Sequence, residues 1–440
     1  MLGGRTRSAP LGQATFGDAL RTRTFALLYF AELQSIVGDQ FARIALAVLV
    51  YRRTGSAAAT GLIFAATYLP AIVGSAALGH LADRLPRRAV IVAVEALRAA
   101  LLAVMAVPGV PLAVVVGLLV VSVFVGPLFS AAQISYLAGA LPREVFRAAN
   151  GLRMFGSQGA QVLGFAVGGP LVAALGAHPV LALDAASFVL SALLAVAAIA
   201  PGLPPAAEVA AGGDVRTARA AVWENRRVRR LVLMSALAGF YVAPEGVAVP
   251  LAHQLDGSTT DAGLLLAALP LGSVLGVYLL VRRVPAGRRT TTAALMAIGC
   301  GVPLVASGLA GNLVVAGVCW ILAGALAAFQ VEALTQIVQG IPDGVRARSL
   351  GICNAILLGV QGLGVGAFGA FSDATTPAAS VAVAGALGTV CAVALVTAAV
   401  RNGDARGAGV PSADARLDSG EPETAGEAVA GQSGRHRRGD

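Results

Sequence analysis

The sequence predicts an all-α polytopic membrane protein, with twelve transmembrane helices arranged as two parallel six-helix halves. Three observations carry this expectation. The 440 residues are 57% apolar and only 12% charged, with a mean hydropathy of +0.79. A soluble chain of this length needs more charge to stay dispersed. Twelve apolar segments follow one another, each close to the ~20 residues that a helix needs to cross a bilayer. The chain also repeats itself. Shifted by 200 residues, the stretch 142–170 matches its counterpart at eight of 29 positions, among them Pro142/Pro342, Gly151/Gly351, Gln161/Gln361, Gly164/Gly364 and Gly169/Gly369. Leu69-Pro70 recurs as Leu269-Pro270, and Gly55-Ser56 with Gly61-Leu62 recurs as Gly257-Ser258 with Gly263-Leu264.

Residues 1–24 carry Arg5, Arg7, Arg21 and Arg23 and read as a flexible, basic cytoplasmic arm. Residues 25–200 form the first half, with spans at about 25–50, 56–82, 89–107, 111–132, 151–175 and 178–200. Span one holds Glu32, Asp39 and Arg43, spaced by seven and then four residues and so on one helical face. A charge inside a span is costly and faces a cavity or a partner. Asp39 and Arg43 are candidates for binding a proton or substrate, and are also placed to neutralise each other. Glu32 has no base near it on its own helix, which makes it the better candidate for binding a proton or cation. Between spans two and three lies Gly79-His80-Leu81-Ala82-Asp83-Arg84-Leu85-Pro86-Arg87-Arg88, a very short basic turn. Glu95 and Arg98 in span three read as a structural pair three residues apart, and span four has no charge. Span five offers Gln158 and Gln161 as polar cavity residues and Gly164, Gly168, Gly169 and Pro170 for close packing and a bend. Asp184 lies well inside span six and reads as structural.

Residues 201–230 form a linker that opens with Pro and Gly and ends in Arg226, Arg227, Arg229 and Arg230 near Trp223, the pattern of an amphipathic helix on the membrane surface. The second half, residues 231–400, has spans at about 231–252, 261–281, 290–310, 312–338, 350–371 and 377–400. Glu245 sits in span seven at about the depth of Asp39 in span one. Glu332 sits in span ten with Gln330 and Gln336 around it; Glu245 and Glu332 are both candidates to line the cavity and bind a proton or substrate, and Gln361 in span eleven is a further polar candidate. The loop Arg282–Arg289 repeats the arginines of the first half's basic turn without its acid. Residues 401–440 are rich in Gly, Asp, Glu and Arg and read as a disordered tail.

The basic residues point to a membrane orientation. All 32 are arginine. Outside the tail, 21 of them fall in the amino-terminal arm and the loops 2–3, 4–5, 6–7, 8–9 and 10–11, against Arg52 and Arg53 on the other side. The positive-inside rule puts both termini in the cytoplasm and accounts for the net charge of +9 without nucleic acid. Without lysine there is no Walker A loop and no Schiff-base lysine. Cys300, Cys319, Cys353 and Cys391 lie in apolar runs without metal-ligand spacing, and the four histidines form no ligand pair. No metal and no cofactor is expected. No cleavable signal peptide is visible, since the first apolar run is too long for one.

The turn at Gly79–Arg88 resembles the loop between helices two and three of major facilitator superfamily transporters, Gly-x-Leu-Ala-Asp-Arg-x-Gly-Arg-Arg, with Pro86 in place of the second glycine. The resemblance covers about residues 20–400. It is closest to the drug-, macrolide- and enterobactin-exporter-like branch, with which the chain shares Gly38-Asp39, Asp184 and the basic run before span seven. It implies that Gly79, Asp83, Arg84, Arg87 and Arg88 form a conformational latch at the cytoplasmic end, Asp83 facing the start of span eleven. It implies that Gly164, Gly168, Gly169 and Pro170 correspond in part to the antiporter glycine motif, and that substrate binds between the halves. The family's span-four arginine is absent. The function expected from this is secondary active transport: proton-coupled efflux of a small apolar or amphipathic compound, such as a drug, natural product or siderophore, by a monomer in the cell membrane. An importer or facilitator on the same fold remains the alternative, and a membrane-embedded enzyme a remote one, because no nucleophile–base constellation is visible.

Overall fold

A computed structural model describes residues 15–199 and 215–401; the side chains of residues 79–84 lie outside the described residues. The tail, expected to be disordered, and the first part of the linker lie outside the described residues. Among the described residues, twelve long helices follow in order. The first half holds α1 (Arg23–Thr54), α2 (Ala57–Ala65 continuing after a turn as Leu69–Arg84), α3 (Arg87–Met105), α4 (Leu112–Ala140), α5 (Arg143–Leu175) and α6 (Ala177–Ala198). The second holds α7 (Arg226–Gln254), α8 (Thr259–Arg283), α9 (Ala286–Leu309), α10 (Leu313–Gly340), α11 (Asp343–Ala374) and α12 (Pro377–Arg401). Among the described residues, eleven helices are long and apolar enough to cross a membrane. The twelfth is α3, whose Arg87, Arg88, Glu95 and Arg98 lower its hydropathy but which packs between α4 and α6.

Local chemistry explains the boundaries. The helix α1 runs past the expected end of its span to Thr54, where Gly55 takes a left-handed conformation (φ 65°) and its N–H bonds to the Tyr51 carbonyl. Pro142 and Pro342 start α5 and α11 at equivalent places in the repeat. Two expectations are corrected. The basic arm is not flexible throughout, because Phe16–Arg21 is helical. Thr15 and Asp18 form a capping box there, Ala19 is buried, and Phe16 meets the Phe155 ring edge-on at 6.5 Å. The Thr15 N–H and hydroxyl hold the Asp18 carboxyl below the usual carboxylate range. In the linker, the amphipathic helix is Val215–Trp223, and its buried Ala218 and Val222 dock on Ile341, Val345 and Cys353 of the second half. Arg226–Arg230 belong instead to the first turns of α7, whose start Asn225 caps.

The packing has an internal two-fold logic. The pairs α1·α6, α1·α5, α2·α4 and α3·α6 of the first half correspond to α7·α12, α7·α11, α8·α10 and α9·α12 of the second. Between the halves, α5 packs on α8 and α2 on α11. In a bilayer such helices associate through close contact, because lipid is as apolar as their side chains. Both inter-half seams use glycine. A Cβ on Gly169 would lie 2.8 Å from the Gly263 Cα, and one on Gly61 would lie 3.1 Å from the Gly369 Cα. The four glycines are two pairs related by the repeat.

The apolar core follows the same division. One cluster, including Ile44, Phe64, Phe165, Val247, Leu266 and Val365, runs through both halves at the end bearing the turns 54–57 and 254–259. Toward the arginine-rich end it gives way to two separate clusters, one around Phe25, Ile91 and Leu137 and one around Val228, Ile337 and Val345. The halves are therefore joined at one end and diverge toward the other.

Candidate functional site

Where the halves diverge, the space between them is a cavity. A region of about 530 Å³ is lined from the first half by Glu32, Ser35, Asp39, Arg43, Arg98 and Asp184. A second, of about 340 Å³, is lined largely from the second half by Gln330, Leu334, Cys353 and Leu357, with Gln158 reaching in from α5. Asn354 of α11 borders both. Volumes in this range suit a drug-sized compound.

Each acid of α1 has a partner on another helix. The expected freedom of Glu32 is corrected: the Arg153 guanidinium of α5 clasps it through Nε–Oε2 at 2.6 Å and Nη2–Oε1 at 2.7 Å. Gln133 of α4 closes the group, donating to Glu32 Oε2 at 3.3 Å and accepting from Arg153 at 3.4 Å. A bidentate pair of this kind braces α1 against α5. The pairing of Asp39 with Arg43 is corrected as well. Asp39 accepts instead from Arg98 Nη2 of α3 at 2.8 Å, and Arg98 also donates to Ser122 at 3.3 Å and lies 4.1 Å over the Phe188 ring. The expected Glu95–Arg98 pair does not form a hydrogen bond; both Glu95 oxygens are buried without a donor.

Arg43 serves the seam between the halves. Its guanidinium lies 5.8 Å from the centre of the Tyr68 ring in α2, and the Tyr68 hydroxyl donates to Glu245 of α7 at 2.7 Å. Glu245, expected as a cavity acid, is thus a cross-half contact. Nearby, Asp373 at the end of α11 accepts from the Ser56 hydroxyl at 2.5 Å and the Ala57 N–H at 2.6 Å, capping α2 from the other half.

The remaining candidates divide. Gln158 lines the cavity and accepts from Gln161 at 3.1 Å. Gln161 and Gln361 line neither cavity region. Glu332 accepts from Gln336 at 2.9 Å, in a chain that includes Thr290 and Arg227. Gly164 and Gly168 let α5 pack against Gln40, Phe41 and Ile44 of α1, while Gly169, with Pro170 beside it, meets α8. Of the expected latch, Gly79, Asp83 and Arg84 lie on the last turns of α2, where the side chains are outside what is described. Arg87 lies beside Gly139 of α4 and Arg88 donates to the Val196 carbonyl of α6 at 3.2 Å, so both turn toward their own half. Reasoning from spacing did not find Arg153, Gln133, Tyr68, Asn354 or Asp373. For Asp373 a signal existed, because it is an acid at the end of a span whose counterpart in the repeat, Ala173, is apolar.

Comparison with known proteins agrees with this geometry. The family model described as Major Facilitator Superfamily matches residues 28–365. The multidrug efflux pump Tap of Mycobacterium tuberculosis (strain ATCC 25618 / H37Rv) is 29% identical over 303 residues, covering 64% of this chain and 71% of Tap. Among solved structures, a bacterial homologue of the human lysosomal transporter Spinster, inward-facing and occupied, superposes with a TM-score of 0.65 at 17% identity, covering 86% of this chain and 95% of that one. A POT family transporter in complex with a thioalcohol-conjugated peptide superposes with a TM-score of 0.70 at 10% identity, covering 86% and 96%.

Proposed function

The chain belongs to the major facilitator superfamily, and from that premise we propose that it is a proton-coupled exporter of a small apolar or amphipathic compound. It is a multi-pass membrane transporter and not an enzyme. In this reading it sits in the cell membrane with both termini in the cytoplasm, works as a monomer by alternating access, and draws on the proton gradient without a cofactor. The observation that carries it is the cavity between the halves, open toward the arginine-rich end and mixed in chemistry. One wall carries Asp39, Arg98 and Asp184, and the other is mostly apolar. An apolar wall of this kind accommodates varied compounds without a dedicated polar code. The similarity to Tap supports export over import. In the present conformation the cavity faces the cytoplasm. Substrate enters there, and release requires the Tyr68–Glu245 and Asp373–Ser56 contacts to part while the arginine-rich ends close.

Accumulation of ethidium and a panel of labelled apolar compounds in cells, with and without the protein and a protonophore, tests this. Export predicts lower accumulation in cells with the protein, abolished by the protonophore. Higher accumulation with the protein, or export indifferent to the protonophore, would overturn the respective part of the reading.

A further inference from the structure

We propose that Glu95, grouped with Asp184 and Asp39 around the single guanidinium of Arg98, is a proton-binding site set behind the cavity wall. Its place in the transport cycle rests on the proton-coupled reading above.

Glu95 and Asp184 are both 0% exposed. Neither Glu95 oxygen makes a hydrogen bond, and Asp184 makes one, from the Ser187 hydroxyl, which reaches Oδ1 at 3.1 Å and leaves Oδ2 without a partner. The groups around them come from four helices. From α1 comes Asp39, from α3 Arg98, from α4 Ser122, and from α6 Ser187, Ser191 and the Phe188 ring. Gly38 makes the group compact, because a side chain there would run into Asp184. Three carboxyl groups thus share one cation, and that cation is committed to Asp39.

An ionised carboxylate without a donor inside a span costs several kcal/mol, whereas the neutral acid keeps its own hydrogen to donate. Ser191 faces Glu95 and its hydroxyl has no other partner; a single hydroxyl can donate to at most one oxygen of an ionised carboxylate and leaves the other bare, whereas it can accept from the neutral acid. With Arg98 held by Asp39, Glu95 carries a proton.

The arrangement also contains its own means of release. Asp39, Arg98 and Asp184 line the cavity, and Glu95 lies behind them. When substrate or a movement of α1 draws Asp39 from Arg98, the guanidinium becomes available to Glu95. The carboxyl then gives up its proton by way of Asp184 to cavity water, and one carboxylate replaces another on the same cation. No bond other than O–H breaks.

Infrared spectroscopy of the full-length protein in lipid reads this without knowledge of the substrate, the probe being the proton and its exchange for deuterium. A buried protonated carboxyl has a C=O band that the carboxylate lacks. The wild type is expected to show such a band at neutral pH and Glu95→Gln to lose it, while Glu95→Asp, a control for folding, moves it. Absence of the band from the wild type, or an unchanged band in Glu95→Gln, would overturn the proposal. The two readings fail separately. If a pH gradient drives ethidium efflux while Glu95→Gln leaves the band intact, the proton site falls and coupling stands. If the band belongs to Glu95 but no gradient drives efflux, coupling falls and the proton site stands.

Discussion

The helices α2 and α8 begin at equivalent places in the repeat with the same Gly-Ser pair, yet they are capped in different ways. At α8, Ser258 and Asp261 cap each other within one turn: the Ser258 N–H and hydroxyl each donate to Asp261 at 2.7 Å. At α2, Ser56 accepts from the Ala59 N–H at 3.0 Å, but Ala59 stands where α8 has its acid. The carboxylate comes instead from Asp373, across the seam. A cap made within one helix stabilises that helix in every conformation. A cap made between halves exists only while the halves are closed at that end, so its free energy enters the balance between conformations. One half thus keeps for its own stability what the other uses to hold the two together.

The largest effect should come from breaking the seam itself. A Cβ on Gly263 would lie 2.8 Å from the Gly169 nitrogen and 2.9 Å from the Phe165 carbonyl, both backbone atoms that cannot move aside alone. Overpacking of this kind costs about 1–3 kcal/mol. Gly263→Val is therefore expected to lower the population closed at this end by roughly 5- to 150-fold. Distances between spin labels across that end, measured by pulsed electron resonance, should lengthen; an unchanged distribution would contradict the seam.

Removing the caps sharpens the comparison. Asp373→Ala should cost about 1–2 kcal/mol of closed-end stability and shift the same distances. Asp261→Ala should cost a similar ~0.5–2 kcal/mol, seen as a lower melting temperature, and leave the distances alone. If both variants shift the distances equally, the distinction between the two caps is wrong. The smallest effect is a repair. Ala59→Asp, added to Asp373→Ala, supplies the acid within α2. It should restore about 1 kcal/mol of thermal stability without restoring the closed end.

Much of the site was partly legible. Helical spacing put Glu32, Asp39 and Arg43 on one face of α1, and all three do line the cavity. Their partners were not legible. Arg98 lies 59 residues from Asp39 and Arg153 lies 121 from Glu32, distances over which no helical period operates. For Asp39 and for Glu95 the nearest opposite charge on the same helix was the natural choice, and it was the wrong one. In both, a guanidinium reached a carboxylate on a neighbouring helix more directly than one along its own. The repeat was more informative. Its matched glycines, Gly61 with Gly263 and Gly169 with Gly369, turned out to be the contacts between the halves.

The sequence by itself determined twelve crossings, two related halves and the uneven placing of arginine. Hydropathy, repetition and charge are properties of successive residues, and they survive without knowledge of any neighbour in space. Only the tertiary structure decided which acid holds which arginine, which end of the molecule is closed, and that Glu95 is left without a donor. Those outcomes depend on how closely helices from distant parts of the chain approach, where the absence of one Cβ sets the contact and a single guanidinium can satisfy one carboxylate only by leaving another alone.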